Sequence, residues 1–173
     1  MTFEQLSKKL KANTRLLRIL GEDLEEFKNA IEDIKTIYKG TEQGIKDPFI
    51  ILKVPIDEIT EEEFEKNKDL IKQALKDNFD LSDSKEFFNS ENLENIMYKH
   101  FKTITQTIKI LKELEENYNK LLELKVEEIK EAVKFRENVL NELDKVLKDD
   151  PEKKKQMEES FDEIPKILKL YGI

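Results

Sequence analysis

The chain has 173 residues, of which 40% are charged, and its formal net charge is -8 at pH 7. This acidic balance disfavours a general attraction to nucleic acid or to anionic membranes, although a local basic patch is compatible with it. Because cysteine is absent, disulfides, thiolate zinc sites and cysteine nucleophiles are excluded. His100 is the only histidine, which excludes a two-histidine metal site within one chain. We therefore expect no metal and no cofactor.

The composition predicts an all-α fold, an elongated helical bundle with coiled-coil-like long helices in a single domain. Gly and Pro number four each, which leaves few positions for turns, while Lys and Glu are frequent and favour helix. Met1 runs directly into a helical pattern, so we expect no leader peptide. The longest strongly apolar run, residues 49–52, is too short to span a bilayer. We expect a cytoplasmic protein without membrane association.

The first predicted element is a long heptad helix over residues 1–40. Thr2 and Gln5 have the spacing of a capping box, and Gly40 is suited to end the helix in a left-handed conformation. Apolar residues recur at alternating steps of three and four, which predicts an interaction seam. The seam consists of Leu6, Leu10, Asn13, Leu17, Leu20, Leu24, Phe27, Ile31 and Ile34.

Two features qualify this seam. Asn13 is polar and has two interpretations: a buried residue that fixes the register of paired helices, or an exposed residue near a frayed end. A second, partial stripe of Leu16, Ala30 and Ile37 runs beside the seam. This wider apolar surface favours a bundle of three or four helices over a two-stranded coil.

A connector over residues 41–59 and short helices over residues 60–90 are predicted next. Pro48 and Pro55 interrupt the connector and push the preceding residues toward extended geometry. Thr60 and Glu63 form a capping box at the start of a helix whose buried face includes Phe64. A polar hinge over residues 80–84 then precedes a short helical piece carrying Phe87 and Phe88.

A long helix over residues 91–149 and a C-terminal helix over residues 150–173 complete the prediction. No Gly or Pro interrupts residues 91–148, although a break near residues 117–119 would instead give an antiparallel pair, and the sequence leaves this open. A second stripe on this helix means that both of its flanks can be buried; it contains Ile110, Leu114, Leu121, Phe135, Val139 and Val146. Asp150 followed by Pro151 is typical of a helix start, while Pro165 should kink or divide the last helix.

Basic residues are concentrated in two stretches, 8–18 and 99–112. The first half of the first helix is basic and its second half acidic, which favours antiparallel pairing with another helix. The alternative is that both stretches form one patch for phosphate or nucleic acid. That possible patch consists of Lys8, Lys9, Lys11, Arg15, Arg18, Lys99, Lys102, Lys109 and Lys112.

Pairs of carboxylates are frequent and therefore weak evidence of chemistry. Glu128 with Glu131, and Glu159 with Asp162, have the Glu-x-x-Glu and Glu-x-x-Asp spacing of all-α nucleotide pyrophosphohydrolases. Such a site needs four carboxylates that converge on Mg²⁺. With 39 acidic residues this spacing arises easily by chance, so the Mg²⁺-dependent enzyme is kept as a remote alternative.

The sequence favours a non-enzymatic protein–protein interaction, scaffold or adaptor protein that acts through the seam. We expect a protein partner or self-association, with a homo-oligomer preferred. A nucleic-acid or phosphate-binding protein that uses the two basic stretches is the alternative, and it is disfavoured because few aromatic residues accompany the lysines. No catalytic residue is expected.

Overall fold

A computed structural model of the chain describes residues 1–78, 90–160 and 168–169. These residues form five helices: α1 (Phe3–Ile51), α2 (Glu61–Lys66), α3 (Lys68–Asn78), α4 (Ser90–Val146) and α5 (Pro151–Ser160). No strand occurs among the residues described, and the predicted all-α bundle of long helices is confirmed. Within the same residues, no helix is both long and apolar enough to cross a membrane.

Helix α1 begins at the capping box predicted from the sequence. The Thr2 hydroxyl accepts a hydrogen bond from the Gln5 amide at 3.3 Å, and the Gln5 side chain accepts one from the Thr2 amide at 3.0 Å. This reciprocal pair satisfies two amides that would otherwise lack partners at the helix start.

The predicted end of the first helix at Gly40 is wrong. Helix α1 continues through Gly40 and Gly44 to Ile51, so the first part of the expected 41–59 connector is helical. Neither glycine has a positive φ. Each costs about 1 kcal/mol relative to alanine inside a helix. Burial of Ile45 and Phe49 beyond them contributes about 1.5–3 kcal/mol per side chain, which offsets that cost.

Helix α1 ends instead in a Schellman motif centred on Lys53. The Val54 amide donates to the Phe49 carbonyl at 2.8 Å, and the Lys53 amide donates to the Ile50 carbonyl at 3.0 Å. Lys53 has φ 57°, the left-handed conformation that this motif requires. Val54 also packs in the same apolar cluster as Phe49. The helix end is therefore set by packing and backbone hydrogen bonds, without a glycine.

Helix α4 is continuous, and the break considered near residues 117–119 does not occur. The chain divides into two compact units: unit 1 contains Met1–Ile31 with Asn117–Ile173, and unit 2 contains Glu32–Glu116. The first part of α1 belongs to unit 1 and its last part to unit 2. The first part of α4 belongs to unit 2 and its last part to unit 1. The single-domain organisation expected from the sequence stays a prediction.

Unit 1 is built on an antiparallel pairing of α1 with α4. Its core has two clusters, one with Leu6, Leu10, Val139, Leu143 and Leu147, and the other with Leu17, Leu20, Leu24, Ile129 and Ala132. Higher-numbered residues of α1 contact lower-numbered residues of α4, so the two helices run in opposite directions. The predicted basic-to-acidic gradient is consistent with this pairing, since Asp23 forms an ion pair with Lys125 at 3.1 Å.

Helix α5 starts at Pro151 as predicted, and the Asp150 carboxylate accepts a hydrogen bond from the Lys153 amide at 3.2 Å. Its Met157 packs against the cluster of Leu6 and Leu10, and Leu168 packs against the cluster of Leu17. The rest of the predicted 150–173 helix, which includes the expected kink at Pro165, lies outside the described residues.

Unit 2 has one apolar core formed by the end of α1, by α2 and α3, and by the start of α4. Buried aromatic rings meet at its centre: Phe64 lies 4.9 Å from Phe101 and 6.0 Å from Phe49, measured between ring centroids. The Thr60 hydroxyl accepts from the Glu63 amide at 3.1 Å, as the predicted N-cap requires. The predicted hinge at 80–84, with Phe87 and Phe88, lies outside the described residues.

Candidate interaction surface

The predicted seam is buried inside this chain. Each of its residues is at most 7% exposed except Phe27, which is half-buried. In unit 1, α4 of the same chain covers the seam through Ile129, Ala132, Val139, Leu143 and Leu147. A protein that bound through these seam residues would have to displace α4.

Asn13 is buried, so the interpretation of it as an exposed, frayed residue is wrong. Its side-chain amide donates to the Ala132 carbonyl at 2.9 Å. The Arg136 guanidinium donates to the Thr14 hydroxyl at 3.2 Å and to the Asn13 side-chain oxygen at 3.5 Å. Burial lowers the pKa of Arg136. Because the Asn13 bond exists only when Asn13 is level with Ala132, it favours one register of α1 on α4.

An open, largely apolar groove of about 360 Å³ lies beside Asn13 in unit 1. Its lining consists of Lys9, Ala12, Asn13, Leu16, Ala132 and Phe135. Leu16 is 46% exposed, Phe135 is 44% exposed, and the neighbouring Ile19 is 55% exposed. Exposed apolar side chains that cluster in this way are typical of an interaction site.

The second stripes predicted on α1 and α4 are mostly exposed within the described chain. Of the residues named for those stripes, Val139 is buried, whereas Leu16, Ile37, Phe135 and most others are exposed. The reason is geometric, since two helices in contact share one seam and leave their outer flanks uncovered unless a third helix lies there.

Helix α5 covers the other side of the α1–α4 pair. Lys154 of α5 pairs with Asp144 of α4 at 3.1 Å, and Lys153 lies over the ring of Phe3 on α1. Asp144 and Phe135 are nine residues apart, which places them on opposite sides of α4 at about 100° per residue. The groove therefore faces away from α5, and we call this surface the open face of unit 1.

Charged residues of both signs neighbour the open face. Lys9 lines the groove, and Lys8 and Arg15 are also exposed on α1. The exposed charged residues near Phe135 on α4 are Glu131, Lys134, Glu142 and Lys145. The α4 side of the groove is therefore mixed in charge.

The predicted basic patch is divided between the two units. Lys8, Lys9, Lys11, Arg15 and Arg18 are all exposed on α1 in unit 1, and the four lysines of residues 99–112 are exposed on α4 in unit 2.

Two lysines of the second stretch already have acidic partners. Lys102 pairs with Glu61 at 3.7 Å, and Lys112 pairs with Glu42 at 3.5 Å. Glu61 also accepts a hydrogen bond from the Tyr98 hydroxyl at 2.8 Å, which raises the pKa of Tyr98. These contacts reduce the positive charge available to an anion at this stretch.

The other residues considered for a catalytic or metal site do not come together in one site among the described residues. His100 is exposed and borders a small apolar cavity of about 60 Å³ with Met97 and Pro48. Glu128 pairs with Lys125 at 3.2 Å. Asp162 lies outside the described residues. No group of three or more His, Asp or Glu side chains placed to hold a metal ion occurs in the part of the chain that the structure describes.

Sequence reasoning missed two buried charged residues on α4. Glu94 is 4% exposed and pairs with Lys72 at 3.3 Å and with Lys68 at 3.8 Å, while Arg136 is 7% exposed. Arg136 stands four residues after the buried Ala132 and three before the buried Val139, so a charged residue at a seam position was the available signal there. The residues three and four positions after Glu94, Met97 and Tyr98, are only partly buried and gave no such signal.

No protein-family model, no curated protein and no solved structure matches the chain.

Proposed function

We propose that this chain is a non-enzymatic protein–protein interaction or scaffold protein that acts through the open face of unit 1. The observation that carries the proposal is the exposure of Leu16, Ile19 and Phe135 beside one apolar groove. Isolated exposed apolar residues are normal on a soluble protein, whereas a cluster bordered by charged residues is typical of a docking site. An aromatic anchor such as Phe135 is also common at the centre of interfaces.

Buried contacts hold the residues that line the groove in place, which favours binding without rearrangement. Asn13 and Ala132 form part of the groove lining and are joined by the buried hydrogen bond. Leu17, next to Leu16 in the sequence, and Leu20, four residues after it, pack in the core. A surface held in place by such contacts loses little conformational entropy on binding.

The proposal is tested by placing a photo-crosslinking amino acid at position 16 or 135 in cells that express the chain. Glu137, exposed on α4 about 200° around the helix from Phe135, is the matched control position. We expect crosslinked species of higher mass from positions 16 and 135 and none from position 137. Equal crosslinking at all three positions, or none at any, would contradict an interaction surface here.

A second candidate function is the binding of nucleic acid or phosphate by the basic stretch of α1. It is supported by the exposure of Lys8, Lys9, Lys11, Arg15 and Arg18 within three to four turns of helix. Such binding should weaken steeply as salt rises, because bound counterions are released from the polyanion. A gel-shift titration with single-stranded and double-stranded oligonucleotides at low salt tests it, and the absence of any shift would exclude it.

A further inference from the structure

We propose that a second copy of this chain packs antiparallel along the outer side of α1 in unit 1, with the basic part of each helix against the acidic part of the other. Exposed charged residues follow one another on this side of α1 at steps of three or four. We call them the outer row: Glu4, Lys8, Lys11, Arg15, Arg18, Glu22, Glu25 and Glu26. At about 100° per residue the row lies opposite the buried Leu6 and Leu24, which face the core of unit 1. The inference concerns a surface other than the open face and does not depend on the proposed function.

The outer row is divided into a basic block, Lys8 to Arg18, and an acidic block, Glu22 to Glu26. Inside each block, neighbours four residues apart have the same charge: Lys11 with Arg15, and Glu22 with Glu26. Like charges at this spacing are neighbours on the helix surface and destabilise the helix.

Other exposed helix surfaces of this chain are built differently. Opposite charges three residues apart pair there: Lys35 with Glu32 at 3.4 Å, Lys130 with Glu127 at 2.7 Å, and Lys153 with Asp150 at 3.4 Å. Pairs of this kind neutralise an ordinary solvated helix face from within. The blocks of the outer row lack that arrangement, which favours opposite charges supplied by another molecule.

A second copy supplies these charges if a two-fold axis crosses α1 at right angles between the two blocks. Homo-oligomers most often have two-fold symmetry, in which the same surface patch of each copy contacts the other. Positions at equal distance on either side of the axis then face each other, and the two α1 helices run antiparallel. Arg18 faces Glu22 of the second copy, and Arg15 faces Glu26 of the second copy. Each of these pairs occurs twice in the dimer.

The remaining charged residues of α1 in this unit leave the outer row undisturbed. Lys9 and Lys28 are exposed, but each lies more than about 100° around the helix from the centre of the row. Asp23 pairs with Lys125 of α4. The row therefore keeps one sign of charge within each block.

A second copy fits the whole row better than an anionic polymer does. A polyanion would gain from the basic block but would meet repulsion from Glu22 and Glu26 directly beside it. The second copy matches both blocks. It also covers Ile19, which is 55% exposed at the border of the row and next to the two-fold axis, so that the two Ile19 side chains lie side by side.

The experiment measures the dimer dissociation constant of the full chain by sedimentation equilibrium over a range of concentrations. We expect the unaltered chain to form dimers. Arg15→Glu places a negative charge opposite Glu26 at two symmetric positions, so we expect the dissociation constant to rise by about tenfold or more. The addition of Glu26→Arg on the same chain restores both opposite-charge pairs. We expect this double variant to return to within about threefold of the original.

Lys9→Glu is the matched control. It makes the same change of net charge on the same helix but away from the outer row, so we expect the dissociation constant to stay within about twofold of the original. Arg15→Glu also converts the like-charge contacts with Lys11 and Arg18 into opposite-charge contacts, so the variant should fold as well as the original. Far-ultraviolet circular dichroism checks that each variant is folded.

A chain that stays monomeric at every concentration would overturn the proposal. So would a Lys9→Glu variant weakened as much as Arg15→Glu, or a folded double variant that dimerises no better than Arg15→Glu alone. A monomeric chain whose oligonucleotide binding is lost in Arg15→Glu would assign the basic block to a polyanion instead. The crosslinking at positions 16 and 135 tests the open face separately, so the two proposals can fail independently.

Discussion

Replacement of Lys53 by glycine should stabilise the protein, because Lys53 holds a backbone conformation that a side chain disfavours. Its φ of 57° brings Cβ close to the backbone, which costs about 1–2 kcal/mol for an L-residue other than glycine. Glycine removes this cost, but part of the resulting stabilisation is lost because glycine is more flexible in the unfolded chain. The net expectation for Lys53→Gly is an increase of about 1 kcal/mol in the free energy of unfolding.

The assay is equilibrium unfolding in urea, read as the midpoint at unchanged slope. Lys53→Ala is the matched control: it removes the same charge but keeps Cβ, so we expect a change within about 0.5 kcal/mol. Gly40→Ala completes the test, since Gly40 is inside α1 with open space around it. We expect this variant to gain about 0.4–1 kcal/mol. The reasoning about the helix end would be refuted if Lys53→Gly were no more stable than Lys53→Ala, or if Gly40→Ala were destabilised.

Two further predictions concern the interior of unit 1. Leu24→Ala removes a fully buried side chain and should destabilise the protein by about 2–5 kcal/mol in thermal or chemical unfolding; a loss below about 1 kcal/mol would show that Leu24 is not in the core. Asn13→Ala removes the bond to Ala132 and an acceptor for the buried Arg136, so we expect a loss of about 1–3 kcal/mol. Asn29→Ala, an exposed change on the same helix, should not destabilise the protein, and an equal loss there would contradict the special role of Asn13.

Helices and their starts were predictable because their signals are local. The capping residues Thr2 and Thr60 act on amides three residues away, and the seam repeats within one helix. The end of α1 was not predictable, because it depends on Phe49 and Val54 packing in a core with Phe64 and Phe101, which are distant in sequence. A glycine is a weak signal of a helix end when tertiary packing beyond it contributes more than the glycine costs.

The candidate surface was predictable in part. The sequence identified two second stripes, one with Leu16 on α1 and one with Phe135 on α4, but the pattern alone cannot indicate whether another helix of the chain covers them. The seam was identified correctly as apolar and buried, whereas its partner within the chain, α4, required the fold. Arg136 was overlooked because the prediction of buried positions used apolar residues alone, and a charged residue in the apolar stripe of α4 interrupts that pattern.

The most direct test of the account measures thiol labelling of two single-cysteine variants, Leu16→Cys and Leu17→Cys. The chain has no cysteine of its own, so each variant reports one position. We expect the thiol at position 16 to react rapidly, since Leu16 is 46% exposed beside the groove. The thiol at position 17, beneath α4, should be protected throughout, since Leu17 is 2% exposed. Rapid labelling at position 17, or labelling at position 16 that is slow in dilute protein, would contradict the account.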